Sequence, residues 1–271
     1  MKNSLFVKPF LRWAGGKNWL VKHISNLVPD DFNDYHEPFL GGGAIFFNMP
    51  IKKKVYLSDS IPDLINAYIQ VRDNLEMILL CLSNFRNTKK DYYEIRSRKY
   101  NDPTMQAAQF IYMNRTCFNG IYRVNYKGDF NVPYGFKKYK ILFDHNQFRK
   151  ASNLLKNTEI FTSDFEGTLK NIREKDFVFL DPPYNITTVK NGFIKYNEKL
   201  FSRDDQIRLA SYLKKINKRG AYYLLTNANH PFVRELFKNE GKIFSIERSS
   251  VIGGKKALRG QISELIFSNI S

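Results

Sequence analysis

Phe177-Val178-Phe179-Leu180-Asp181-Pro182-Pro183-Tyr184 is a short apolar run that stops in an acid, two prolines and an aromatic ring. An unbroken apolar stretch of this length suits a strand buried on both faces of a parallel sheet. The prolines end it. They remove two backbone N–H groups and hold the chain extended, so the Pro182 carbonyl and the Asp181 carboxylate can both face a ligand as acceptors. Tyr184 can then cover that ligand. A planar group bearing an NH2 fits this corner, since two acceptors take its two hydrogens while the ring stacks on its face. The amines of adenine and cytosine are such groups.

Working outward, Val55 to Asp59, Ile160 to Asp164 and Tyr222 to Thr226 are runs of the same kind, each bounded by a polar break. Helical spacing lies between them. Leu64, Ile65, Tyr68 and Ile69 follow the first, and Ile207, Leu209, Ala210, Leu213 and Ile216 precede Tyr222. The latter helix opens with Ser202 and Asp205 at the spacing of a capping box. Alternating strand and helix predict an α/β core. Asp59, Asp164 and Asp181 each close a strand, and in open α/β sheets ligands lie beyond the carboxyl ends of the strands, so three acids there would line one crevice. Any one of them alone could instead cap a helix or a turn.

The stretch 74–150 interrupts the alternation. It is rich in Tyr, Phe, Asn, Arg and Lys, and it reads as helices followed by a polar, aromatic loop with a hairpin around Tyr126-Lys127-Gly128-Asp129-Phe130. The expected organisation is therefore a core made of 1–73 and 151–271 with an inserted, mainly helical domain at 74–150. Further on, Ile243 to Glu247 and Ile262 to Phe267 alternate in polarity and predict antiparallel edge strands joined by a basic loop.

The 271 residues are 43% hydrophobic, enough for a sizeable core, and 43 Lys and Arg against 26 Asp and Glu leave a net charge of +17. Such an excess points to a polyanion, nucleic acid first, although a lysine-rich surface can serve solubility alone. Cys81 and Cys117 cannot make a disulfide framework, and no Cys/His cluster has the spacing of a zinc site, so no metal is expected. Met1 to Trp13 lacks the apolar core of a signal peptide, and no segment is apolar for long enough to span a bilayer. The expectation is a soluble, cytoplasmic protein with no membrane partner.

Two further motifs carry glycine. Glu37-Pro38-Phe39-Leu40-Gly41-Gly42-Gly43-Ala44 stands where the first strand should turn into a helix, and its glycines permit a tight turn that brings backbone N–H groups to a ligand. Asp59, ending the next strand, is placed to accept hydrogen bonds from a ribose. A bare flexible turn is the other reading. Arg12-Trp13-Ala14-Gly15-Gly16-Lys17 hints at a phosphate loop, but a Walker A sequence needs Gly in place of Leu11 and Ser or Thr in place of Asn18, which disfavours ATP hydrolysis. Trp13 could pack on a cofactor and Lys17 pair with a carboxylate, or the two could be an ordinary buried Trp beside a solvated Lys.

In order along the chain, these motifs resemble the Dam-like, D12-class DNA adenine-N6 methyltransferases of the alpha group, including GATC enzymes of restriction–modification systems. The matching blocks are Phe10 to Lys17, Glu37 to Gly43, Leu57 to Asp59, Asn114 to Asn125, Phe130 to Gly135, Ser163 to Phe165, and Asp181 to Tyr184. The resemblance implies a Rossmann-like sheet that binds S-adenosyl-L-methionine, with S-adenosyl-L-homocysteine as product and no metal. It implies cofactor contacts from Trp13, Lys17, Phe39, Gly41, Gly43, Asp59, Asp164, Phe165 and Asp181. Asp181, Pro182 and Tyr184 would act on an adenine rotated out of the double helix.

The same resemblance implies that 74–150 recognises double-stranded DNA. Within Asn114 to Asn125, Arg115 belongs to the DNA-reading segment and Arg123 matches a guanine-contacting arginine. Phe118, a position often held by Tyr, would stack where the target base has left, supported by Asn119. Pro133 and Tyr134 would touch neighbouring bases or backbone, and Arg12 stands where some relatives have a Lys that reaches the outer base pair. Lys137, Lys138, Lys140, Lys255 and Lys256 are candidates for phosphate contacts. A cognate restriction endonuclease is a possible partner, and a monomer is the expected state. Methylation of cytosine N4 or of RNA adenine would use the same corner, and a non-enzymatic DNA-binding protein would account for charge and aromatics but leave the glycine turn and D-P-P-Y without a task. A base deaminase is excluded, since H-x-E and P-C-x-x-C are both missing.

Overall fold

The computed structural model describes residues 7–184, 201–249 and 261–270. Tyr35–Glu37 (β1), Val55–Asp59 (β2), Thr158–Thr162 (β3), Phe177–Leu180 (β4), Tyr222–Ala228 (β5), Lys242–Ser249 (β6) and Gln261–Ser268 (β7) form a seven-stranded sheet in the order β3-β2-β1-β4-β5-β7-β6. With its helices it is a mixed α/β, Rossmann-like fold. All four residues of β4 are buried, as the unbroken apolar run predicts. β1 and β5 run parallel to β4 on either side, with Phe177 opposite both Tyr35 and Tyr222.

Beyond β5 the pairing becomes antiparallel, β5 with β7 and β7 with β6. One expectation needs correction here. Only β6 of the predicted pair is an edge strand, because β7 lies between β5 and β6. Alternating polarity says which face a side chain takes, not which strands lie alongside. The expected basic loop, 250–260 with Lys255 and Lys256, lies outside the described residues.

The chain divides into two compact units. The first comprises Met1–Ser25, Leu40–Lys52 and Leu57–Thr162. Its helices are Pro62–Asp73 (α1), Leu75–Ser83 (α2), Lys89–Ser97 (α3), Pro103–Thr116 (α4) and His145–Leu155 (α5). α1 packs on α4, where the fully buried Ala107 and Ala108 permit close approach. Thr88, Asp102 and Asp144 cap α3, α4 and α5 by accepting backbone N–H groups of the first turn, each worth about 1 kcal/mol.

The second unit comprises Asn26–Phe39, Lys53–Tyr56 and Ser163–Ser271. Its main helix, Arg203–Lys218 (α6), opens with the predicted capping box of Ser202 and Asp205. α6 buries Leu209, Leu213 and Ile216 in a core with Val178 and Leu180 of β4, Tyr223 and Leu225 of β5, and Leu265 and Phe267 of β7. A short helix, Pro231–Leu236 (α7), completes it. No helix among the described residues is long and apolar enough to cross a membrane.

Candidate active site

The chain leaves β4 directly into Asp181. On the adjacent β5 the fully buried Thr226 donates its hydroxyl to Asp181 Oδ1 at 2.8 Å, with the Leu180 carbonyl oxygen 3.3 Å from the same hydroxyl. Pro182 is buried and Pro183 exposed. Tyr184 is half-buried, and its hydroxyl donates to Glu264 Oε2 at 3.1 Å. Glu264, on β7, is 1% exposed. Burial first, then the neighbouring Asp181 and Glu264 carboxylates, push the Tyr184 phenol well above its usual range, so it remains protonated and a donor. A hydroxyl thus holds the carboxylate of the corner, and a carboxylate holds the far end of its ring. Sequence reasoning did not single out Thr226 or Glu264, although a Glu inside the run from Ile262 to Phe267 was a signal that a buried acid needs a partner.

In the first unit, the glycine turn is held by its own backbone. Leu40 N–H donates to the Ser58 carbonyl, Gly41 N–H to Asp59 Oδ2 at 3.0 Å, and Gly43 N–H to the Leu40 carbonyl. Gly41 and Gly43 have φ of +47° and +66°, conformations that favour glycine. A Cβ on Gly41 would lie 2.7 Å from Trp13 Cδ1, so the indole packs directly on the turn. Trp13 also stacks on Tyr122, with ring centroids 6.0 Å apart. Lys17 is buried, and its ammonium donates to the Gly15 carbonyl at 2.9 Å.

Asp59 ends β2, and its other oxygen accepts the Ile61 N–H at 3.2 Å. Burial pushes this carboxyl up to about 6, against backbone N–H groups that pull it down. A carboxylate offers about four acceptor sites, so the side chain that orders the turn keeps capacity for hydroxyl donors such as those of a ribose. The residues therefore fit a nucleoside cofactor at this turn.

In the second unit, Phe39 and Phe165 stack at 5.4 Å. Asp164 lies two residues beyond β3 and caps the 3-10 helix Phe165–Asn171 by accepting the Glu166 N–H. Arg208 ties Asp164 to Glu166 and Asp205, and its guanidinium lies 4.9 Å above the Phe165 ring. Asp164 thus takes the capping position open to any single acid, with its carboxylate still half exposed.

The block from Asn114 to Asn125 begins at the end of α4. The Asn114 side chain accepts the Arg12 N–H at 2.8 Å and donates to the Arg12 carbonyl at 2.7 Å, which ties the Arg12 backbone to the helix. Phe118 then stands 50% exposed, followed by exposed Asn119 at φ +55°. The predicted hairpin is present, with Val124 bridged to Phe130 and the Asn125 side chain accepting the Lys127 and Asp129 N–H groups. Arg123 lies on it, its guanidinium donating to the Asn131 side chain at 2.7 Å and the Asn131 carbonyl at 3.2 Å.

Pro133 is exposed, whereas Tyr134 is buried with its hydroxyl donating to the Asn87 carbonyl at 2.9 Å. Three cations gather at Tyr139. Arg12 donates to its hydroxyl at 3.2 Å, while Arg115 and Lys137 lie 4.4 and 5.4 Å from its ring centre. Repulsion from Arg12, then burial and Arg115, push the Lys137 ammonium below its usual value. A phosphate would relieve that repulsion.

A protein-family model for the D12 class N6 adenine-specific DNA methyltransferases matches residues 13–252. The chain is 37% identical to the type II methyltransferase M1.LlaDCHI of Lactococcus lactis subsp. cremoris, over 99% of this chain and 97% of that protein. It is equally identical to the type II methyltransferase M.MjaIII of Methanocaldococcus jannaschii, over 97% and 99%. To the DNA adenine methylase of Haemophilus influenzae it is 31% identical, over 98% and 95%. With a glycine turn set on an acid-terminated strand, a D-P-P-Y corner and relatives matched almost end to end, the chain belongs to the D12 class of N6 adenine-specific DNA methyltransferases.

Proposed function

We propose that this enzyme moves a methyl group from S-adenosyl-L-methionine to N6 of an adenine extruded from duplex DNA, within GATC or a related site containing GAT. The corner at the end of β4 carries the reading: Asp181, fixed by Thr226, is followed by a proline carbonyl and by a ring fixed at its hydroxyl. Asp181 and the Pro182 carbonyl accept the two N6 hydrogens and stabilise the positive charge that grows on nitrogen as it bonds to carbon. Tyr184 stacks on the base and offsets part of the few kcal/mol needed to extrude it. Bound adenosylmethionine supplies a methyl group on a positively charged sulfur and leaves as adenosylhomocysteine. A proton is lost from N6, and the reaction as written needs no metal.

For cofactor binding we assign Asp59 to the ribose, the turn containing Gly41 and Gly43 together with Trp13 and Lys17 to the methionine part, and Phe39, Asp164 and Phe165 to the adenine end. We assign 74–150 to DNA. Arg123 reads a guanine through a bidentate pair, Phe118 fills the place of the extruded base with Asn119 in support, and Pro133 and Tyr134 adjoin them. Arg12, Arg115 and Lys137 hold phosphates. The reading carries with it a monomer working in the cytoplasm, with an endonuclease of the same specificity as a possible partner.

Modified-base sequencing of genomic DNA from a methylation-free host, with the enzyme or its Asp181→Ala variant, tests this. N6-methyladenine at one short motif, absent with the variant, is the expected result. Methylation at cytosine N4, modification of RNA alone, or full activity of the variant would overturn it.

A further inference from the structure

We propose that Glu264 is a positioning residue for methyl transfer, its buried carboxylate holding the Tyr184 hydroxyl and so setting the plane of the ring on which the reacting base stacks. The inference rests on the proposed role of Tyr184 and adds to it a residue 80 positions away in the chain.

The backbone leading to Tyr184 is poorly placed to aim the ring by itself. β4 ends at Leu180, and the two prolines that follow offer no N–H to a neighbouring strand. A tyrosine has two side-chain torsions, so a bond at the far end of the ring constrains both together. Such a bond comes from β7, a strand paired on both sides and hence a firm mount, beside a further contact of the same hydroxyl with the Thr226 side chain of β5. Glu264 faces Ala228 of β5 in the register of this pairing, two residues along from the Thr226 that holds Asp181. The acid and the aromatic of the corner are therefore each held by a side chain of this antiparallel pair, Asp181 accepting from Thr226 and Tyr184 donating to Glu264.

Packing alone gives little reason for a carboxylate at this place. Leu265, Ile266 and Phe267, which follow it, are fully buried, and an acid among them is strongly disfavoured unless hydrogen-bonded. The raised phenol keeps its proton throughout the neutral range and so remains able to donate to Glu264.

The test uses the whole enzyme and a duplex carrying its target site, with Glu264→Leu, Glu264→Gln, Tyr184→Phe and the Tyr184→Phe/Glu264→Leu double variant. Single-turnover transfer, cofactor affinity, thermal melting, and the fluorescence of 2-aminopurine in place of the target adenine are measured for each. Glu264→Leu is expected to slow transfer by about tenfold or more while cofactor affinity changes less than about twofold. Brighter 2-aminopurine should accompany it, since the extruded base no longer stacks well. Glu264→Gln, whose amide oxygen still accepts the hydroxyl, should restore the rate to within about threefold of the parent. In the Tyr184→Phe background, Glu264→Leu should cost less than about threefold, because there is no hydroxyl left to hold.

Equal losses in both backgrounds would reduce Glu264 to a structural residue, and a parental rate for Glu264→Leu would overturn the proposal outright. Should Glu264→Leu not fold, Tyr184→Phe decides alone: parental rate and parental fluorescence would sink the idea. A parent enzyme that leaves no N6-methyladenine on any duplex would instead refute the proposed function, an outcome separate from all of these.

Discussion

The Asp59 carboxyl makes a sharp prediction about pH. In the free enzyme burial raises it from 3.8 to about 6. If ribose hydroxyls donate to it in the complex, they favour the charged form and lower the pKa again, so binding near pH 6 must release a proton. Affinity for adenosylmethionine is then complete above pH 6 and falls as the pH drops through 6, by about tenfold for each unit. At pH 5 the loss is about tenfold. If binding returns the group fully to its ordinary value, the loss approaches a ceiling of about 3 kcal/mol, roughly a hundredfold, only below pH 4. The assay is titration calorimetry from pH 7 to pH 5 in two buffers of different ionisation enthalpy, which counts the protons released. The window stays below the titration of the ligand's own α-amino group, about 7.7 to 8.0. Asp59→Asn should bind more weakly at pH 7 and lose the pH dependence. Affinity that is flat between pH 7 and 5, or proton uptake on binding, would refute the reasoning.

Three other perturbations bear on separate parts of the molecule. Thr226→Val removes the donor at 2.8 Å from Asp181 and should lower kcat about tenfold with DNA affinity within about twofold, measured by single-turnover transfer and a filter-binding titration; an unchanged kcat would show that Asp181 needs no such support. Gly41→Ala puts a methyl group 2.7 Å from Trp13 Cδ1 at a φ of +47°, and should cost about 1–3 kcal/mol of stability together with cofactor affinity, read by thermal melting with and without adenosylmethionine. Melting and affinity equal to the parent would mean that the indole does not pack on the turn. Arg123→Ala should lower the ratio of cognate to near-cognate methylation by the equivalent of about 1–3 kcal/mol while total DNA binding falls less; a ratio that does not move would make Arg123 another phosphate contact.

Much of this architecture could be read from the sequence because burial and backbone chemistry are local. Val55 to Asp59 is a strand with the expected bounds, the strand from Phe177 stops at Leu180, one residue short of the expected Asp181, and Ser202 with Asp205 caps its helix as spaced. The hairpin after Arg123 follows from the Asn125 side chain and Gly128, which turn the chain in one place. What stayed hidden depends on strands distant in sequence. Nothing in the segment around Ser263-Glu264-Leu265 says that β5 lies beside it, so neither the interior place of β7 nor the hold of Glu264 on Tyr184 was legible. Asp164 shows the converse, since its helix-capping role is written in the residues that follow it, while the pairing with Arg208 bridges 44 positions. The burial of Lys17 was equally out of reach, because a lysine after two glycines reads as solvated.

The placement of β7 between β5 and β6 has a consequence for biosynthesis. β6 leaves the ribosome before β7, yet its place in the sheet exists only once β7 has emerged to separate it from β5. A nascent chain that has reached β6 already carries Asp181 and Tyr184 but not the carboxylate that fixes the ring. Until β7 arrives, the far edge of β5 is an unpaired strand able to recruit another. A chain arrested after β6 is therefore expected to be both inactive and prone to pair with its own copies.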